Sequence, residues 1–196
     1  MVYSVKAILA VLITIIMQTC AVNMVESTPT AAAEDFLSAV KKQDQKVMER
    51  YMDNDYVNFL CNSEGDDKSI DKMNDALFEN FEYEVLEVKE KGDVAVAKVM
   101  ITSCDFSKVM DSYAKVAYKY IMDNLYEKEI GDKEKLNKKC LELYVNEVEK
   151  VAEKGKTVEN TVVIPMVDDG YYGWNVIMTD ELMESILGNL EMPTQK

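Results

Sequence analysis

Hydrophobic positions along this chain recur at two spacings, and the switch between them divides it into blocks. From Thr28 onward, Ala32, Ala33, Phe36, Leu37 and Val40 repeat at intervals of three and four, the spacing of one helix face. Thr28 is placed to cap that helix, and Pro29 fills its first turn, where a missing N–H costs nothing. Lys41-Lys42-Gln43-Asp44 ends the stripe. Val47, Met48, Tyr51 and Met52 predict a second short helix, and Val57, Leu60 and Cys61 a further turn or two. After the polar stretch Asn62 to Lys68, Ser69 is placed to cap another helix with Ile70, Met73, Leu77 and Phe81 inward.

The period then falls to two. Phe81, Tyr83 and Val85 alternate with Glu82 and Glu84, Lys91-Gly92-Asp93 reads as a turn, and Val94 to Ser103 is apolar at most positions, as a central strand is. These two strands form a hairpin. From Asp105 to about Glu153 the helical spacing returns. One rod carries Phe106, Val109, Met110, Tyr113, Ala117, Tyr120, Ile121 and Leu125, with Asp105 placed to cap it. The other carries Leu136, Cys140, Leu143, Tyr144, Val148, Val151 and Ala152, and Gly131-Asp132 separates the two. Thr157 to Val167 is a third strand, Asp168-Asp169-Gly170 a turn, and Tyr171 to Met178 a fourth strand containing Trp174. Pro165 calls for an edge or a bulge, because it has no N–H for a ladder. Thr179 caps a last helix with Leu182, Ile186 and Leu187 inward, and Gly188 stops it. The predicted fold is α+β: a curved antiparallel sheet of about four strands in two hairpins, packed with N-terminal helices, an inserted helical hairpin and a C-terminal helix. It occupies residues 29–190 as one domain, with 105–153 as the insertion and 191–196 as a tail.

Ahead of this domain the pattern is different. Met1 and Lys6 make a small positive start, and Ala7 to Met17 is an apolar run interrupted by Thr14 alone. Its length suits an export signal and falls short of the roughly 20 residues of a membrane span. Residues 1–20 are therefore read as a signal peptide and 21–28 as a tether. Met17-Gln18-Thr19-Cys20 sits where a bacterial lipoprotein signal places its lipidated cysteine, although such signals usually have Leu, Val or Ile at the place of Met17 and Gly, Ala or Ser at that of Thr19. Thr19-Cys20-Ala21 also fits cleavage after Ala21. Lipidation of Cys20, plain secretion and an uncleaved anchor all remain open. A lipid on Cys20 would hold the domain on the outer membrane face, at roughly 0.8 kcal/mol per buried methylene.

Composition narrows the chemistry. The 196-residue chain carries 22 Lys+Arg against 36 Asp+Glu, a formal net charge of -14, and removing Lys6 with the leader leaves about -15. Such a field repels phosphate backbones, so nucleic acid is not an expected partner; cations or basic surfaces are. The chain has no histidine, which removes the usual general base near neutral pH and every Ser-His or Cys-His pair. Arg50 is the only arginine, so an arginine clamp for phosphate or carboxylate has little to draw on. No acid interrupts the apolar stripes of Val94 to Ser103 or Val162 to Val167, so no pocket carboxylate is visible there. Asp53, Asp55 and Glu64 match three positions of a calcium loop, but Val57 and Asn58 stand where a ligand and a glycine belong. Cys61, Cys104 and Cys140 have no zinc spacing; an exported setting permits one disulfide among them, and Cys140 lies on an apolar face that suits a buried thiol. Among the eleven tyrosines and the one tryptophan, Tyr83, Tyr113, Tyr172 and Trp174 are candidate cleft aromatics, with core packing as the alternative. No cofactor and no bound metal are expected.

The opening helix Pro29-Thr30-Ala31-Ala32-Ala33-Glu34-Asp35-Phe36-Leu37-Ser38-Ala39-Val40, closed by Lys41-Lys42-Gln43-Asp44, resembles the start of many small bacterial envelope lipoproteins. The ending is similar too: Val163-Ile164-Pro165-Met166, then Asp169-Gly170 and Trp174, then a short helix stopped by Gly188. Over residues 28–190 the chain resembles envelope domains of unknown function with the nuclear-transport-factor-2-like, or cystatin-like, fold. That resemblance implies a sheet wrapped around helices, often with a pocket at its mouth, and a location on the extracellular face of the membrane or in the medium. The expected function is a non-enzymatic envelope protein that binds a small molecule or a protein through the concave face of the sheet or the inserted hairpin. The alternatives are an enzyme of the ketosteroid-isomerase or dehydratase type, using a pocket carboxylate, and a passive structural or immunity module.

Overall fold

The computed structural model describes residues 28–61, 68–127, 130–170 and 173–191; the leader with Cys20, the loop with Glu64 and Tyr172 lie outside them. Helix α1 (Pro29–Lys42) begins where its cap dictates, with Thr28 Oγ1 accepting from the Ala31 N–H at 3.2 Å. It ends at Gln43, whose φ of 53° is left-handed, while the Asp44 N–H reaches back to the Ala39 carbonyl at 2.9 Å. Asp44 then accepts from the Val47 N–H and opens α2 (Gln45–Met48), so a single four-residue polar stretch stops one helix and starts the next. Helices α3 (Asn54–Cys61) and α4 (Lys68–Phe78) follow. Helix α4 starts at Lys68, which puts Ser69 inside its first turn rather than ahead of it.

Strands β1 (Glu82–Lys91) and β2 (Val94–Cys104) form the predicted hairpin, turning at Gly92 with φ 62°. Helices α5 (Val109–Asp123) and α6 (Lys133–Glu153) come next, then β3 (Thr157–Asp168), β4 (Trp174–Val176) and α7 (Asp180–Ile186). The four strands lie side by side in chain order, each antiparallel to its neighbour, in one curved sheet that does not close. The β2–β3 ladder runs unbroken from Val94↔Val167 to Cys104↔Thr157, so β2 is central, as its apolar run predicts.

Two expectations are corrected by specific hydrogen bonds. Among the described residues the fourth strand is Trp174–Val176 and stops short of Met178. The Ile177 N–H donates to the Pro165 carbonyl at 2.8 Å, so the backbone of residue 165 faces β4; with no N–H to return, the ladder stops there. Proline is tolerated in β3 because its donorless side meets the end of β4 and not β2. Asp105 does not cap α5, which starts at Val109 without a side-chain cap. The Phe106 N–H is committed to the Gly188 carbonyl at 2.8 Å, which holds the chain out of helical geometry just after β2. Asp105 instead accepts from the Ser107 N–H and hydroxyl and pairs with Lys156 at 2.5 Å.

The helices pack on one face of the sheet. Ala95, Ala97, Val99 and Ile101 of β2 and Val162, Ile164 and Met166 of β3 are buried there against Phe36, Leu37 and Val40 of α1 and Leu182 and Ile186 of α7. On the opposite face the apolar run of β2 departs from expectation. Val94, Val96, Val163, Val167 and Ile177 stay exposed, Val94 at 53%, although a continuous apolar strand predicts burial on both sides.

Three outcomes follow from these contacts. A Cβ at Gly188, where φ is +59°, would stand 1.9 Å from the Cys104 carbonyl oxygen, whereas a Cβ at Gly92 meets nothing within 4 Å. Gly188→Ala should therefore destabilise by roughly 2–4 kcal/mol in denaturant titrations and Gly92→Ala by about 1 kcal/mol, the cost of the left-handed backbone alone. Val96→Thr should shift stability by less than about 0.5 kcal/mol and Val99→Thr by roughly 1–3 kcal/mol, because only the second buries a hydroxyl. The hydrogen bonds from Lys156 and Ser107 hold the Asp105 carboxyl down to about 2, below its ordinary 3.8. A depressed carboxyl stabilises the fold above its unfolded value, and that contribution disappears as pH falls from about 4 to 2. Asp105→Asn should flatten the acid limb of a pH-resolved unfolding curve across that window.

Candidate functional site

The face of α1 turned away from the sheet places Ala31, Glu34, Asp35 and Ser38 at intervals of three and four, opposite the buried Ala32, Ala33, Phe36, Leu37 and Val40. Together with Arg50 and Tyr51, from the turn after α2, and Tyr83 of β1, these residues line a hollow of about 600 Å³. The hollow is shallow and open to solvent, a surface depression and not an enclosed cavity.

Hydrogen bonds fix both aromatic walls of the hollow. The Tyr51 hydroxyl donates to the Asp35 carboxylate at 2.8 Å, and the Tyr51 carbonyl accepts from the Val176 N–H at 2.8 Å, tying the residue to the end of β4. Its ring meets Phe36 edge-on at 6.5 Å between centroids. The Tyr83 hydroxyl donates to the Glu34 carbonyl at 3.4 Å. Burial, then the hydrogen bond to Asp35 and its charge, push the Tyr51 phenol up to about 12, so it stays a neutral donor through the physiological range. Arg50 is exposed and, among the described residues, makes no ion pair; neither do Glu34 and Asp35.

A second hollow, of about 490 Å³, opens where the end of α1 meets α4 and α6, between Lys41, Lys72, Asp75, Glu79, Glu149 and Glu153. Its charges are mixed, and Lys41 is drawn to Glu82 of β1 at 2.5 Å.

The four candidate cleft aromatics occupy different surroundings. Tyr83 lines the first hollow. Trp174 of β4 is 5% exposed and belongs to the core. Tyr113 of α5 stands edge-on to Tyr144 of α6, with centroids 5.4 Å apart, and joins the two rods of the insertion. Burial and a hydrogen bond with Cys140 raise its phenol to about 12. Tyr172 falls outside the described residues.

Cys61, Cys104 and Cys140 are free thiols. Cys104 is buried and accepts from the Asn80 amide at 3.3 Å. Cys140 is only half-buried, less than its apolar helix face predicts, and sits beside Tyr113 of α5. Asp53, one of three residues that match positions of a calcium loop, bonds within its own turn, accepting from the Asp55 N–H at 3.2 Å. Among the described residues no group of three or more His, Cys, Asp and Glu is arranged to hold a metal, and no helix is long and apolar enough to cross a membrane.

Sequence reasoning names Arg50 and Tyr83 but does not join them, and it counts Tyr51 as a core residue. The available signal is the dipeptide itself: the only guanidinium of an acidic chain stands next to an aromatic residue.

No family model matches the chain, and no curated protein matches it. Among solved structures it is similar to one described as a "putative lipoprotein (ycdA)" from Bacillus subtilis subsp. subtilis str. 168, at 19% sequence identity and a TM-score of 0.44. The match covers 78% of this chain and 44% of that one, so this chain spans less than half the length of that structure.

Proposed function

We propose that this chain is exported and serves in the cell envelope as a non-enzymatic binding protein, either held on the outer membrane face by a lipid on Cys20 or released. In this reading residues 1–20 are the leader, 21–28 the tether, 29–190 one domain of the nuclear-transport-factor-2-like kind and 191–196 a tail. The export part rests on the short apolar run Ala7 to Met17 and the Cys20 context. The binding part rests on one observation: the helix-bearing face of the sheet is filled by its own side chains, while α1 presents an outward hollow walled by two anchored tyrosines and Arg50. A filled interior moves recognition to the outer surface, where fixed rings offer a large contact area at little entropic cost.

Two measurements test the export part. Mass spectrometry of the native protein's N-terminus should show the loss of about 19–21 residues; an intact Met1 in a cytosolic fraction would refute it. Cys20→Ala should release the protein from washed membranes, and membrane association equal to that of the wild type would refute the lipid.

A further inference from the structure

We infer that the hollow between α1, the Arg50-Tyr51 turn and Tyr83 binds a small zwitterion, with the ligand's ammonium at Asp35 and Glu34 and its carboxylate on Arg50. This inference names a ligand class for the binding part of the proposed function and does not depend on export.

The argument starts from charge. In a chain of formal net charge -14, the only guanidinium lines a hollow together with two carboxylates. Arg50 nevertheless pairs with none of the described ones, although Asp35 and Glu34 line the same hollow. The opposite charges on the two sides of the hollow therefore stand more than an ion-pair distance apart. A ligand carrying both charges on a short spacer satisfies the two sides at once, which neither an amine nor a carboxylate alone can do.

The walls support the same class of ligand. Tyr51 donates its hydroxyl to Asp35 and leaves the other carboxylate oxygen available as an acceptor. Held this way, the carboxylate is oriented before a ligand arrives, which lowers the entropic cost of binding. The rings of Tyr51 and Tyr83 flank the acidic side, and an ammonium group near an aromatic face gains a further attraction. The Ser38 hydroxyl adds a donor and acceptor on the same side of α1. Arg50 supplies a planar fork that matches a carboxylate in two parallel bonds. A fully anionic ligand would meet Asp35 and Glu34, and a fully cationic one would meet Arg50, so selectivity for the doubly charged species is built in.

The test is isothermal titration of the full chain, solubilised in mild detergent, at low salt and neutral pH. The probes are 4-aminobutyrate, with butylamine and butyrate as its two halves. The expected result is at least tenfold tighter binding of 4-aminobutyrate than of either half. Arg50→Gln should weaken 4-aminobutyrate at least tenfold while butylamine binds as well as before or more tightly, and Asp35→Asn should weaken both. Both side chains are exposed, and unchanged circular dichroism confirms that the variants fold. The inference is overturned if 4-aminobutyrate shows no binding, if butylamine or butyrate binds as tightly, or if Arg50→Gln leaves the affinity for 4-aminobutyrate intact. A cytosolic protein with an intact Met1 would defeat export and leave this result standing.

Discussion

The seating of α1 on the inner face of the sheet is the constraint on which the rest of the molecule depends. Both surfaces mix very small residues with large ones: Ala32 and Ala33 beside Phe36 and Leu37 on the helix, Ala95 and Ala97 beside Val99 and Ile101 on the strand. All of these side chains are buried in one cluster, and a close-packed interior of small and large residues resists displacement of the helix. Once α1 is fixed, its opposite face is fixed as well. Glu34 and Asp35 are thereby set against Tyr83 and Tyr51, and the hollow is a by-product of the core packing behind it.

The helical insertion obeys a different logic. Antiparallel neighbours such as β2 and β3 can be joined by a tight turn, so α5 and α6 are not needed to make the sheet. Their base is pinched shut: the Asp105 N–H donates to the Lys156 carbonyl at 2.9 Å, and the two side chains pair alongside. The insertion thus leaves and re-enters the sheet at one point. Tyr144 then ties it to the end of the chain by donating its hydroxyl to the Glu191 carbonyl at 2.8 Å. Burial raises this phenol well above its usual range, so it remains a donor through the physiological range. The same junction receives the last helix, because Gly188 packs its backbone directly against Cys104 and Phe106.

Sequence legibility follows how local each signal is. Thr28, Asp44 and Thr179 each bond a backbone N–H three residues on, and each is readable as a cap or as the end of a stripe. The hairpin at Gly92 and the long rods of 105–153 are equally local. The errors arise where a distant partner intervenes. Asp105 looks like a cap until Gly188 claims the next N–H, and the fourth strand looks as if it runs on to Met178 until Pro165 ends its ladder.

Composition and spacing by themselves determined an acidic α+β domain with two β-ribbons, an inserted helical hairpin and a helix at each end, because caps, turns and periodicity act over a few residues. Only the tertiary structure decided which face of β2 meets the helices and which valines stay in water, since the apolar run reads the same on both sides. It also decided that Asp35, Arg50 and Tyr83 share one hollow. Those residues come from a helix, a turn and a strand, and no spacing rule connects them; only the packing of α1 against the sheet brings their side chains within reach of one another.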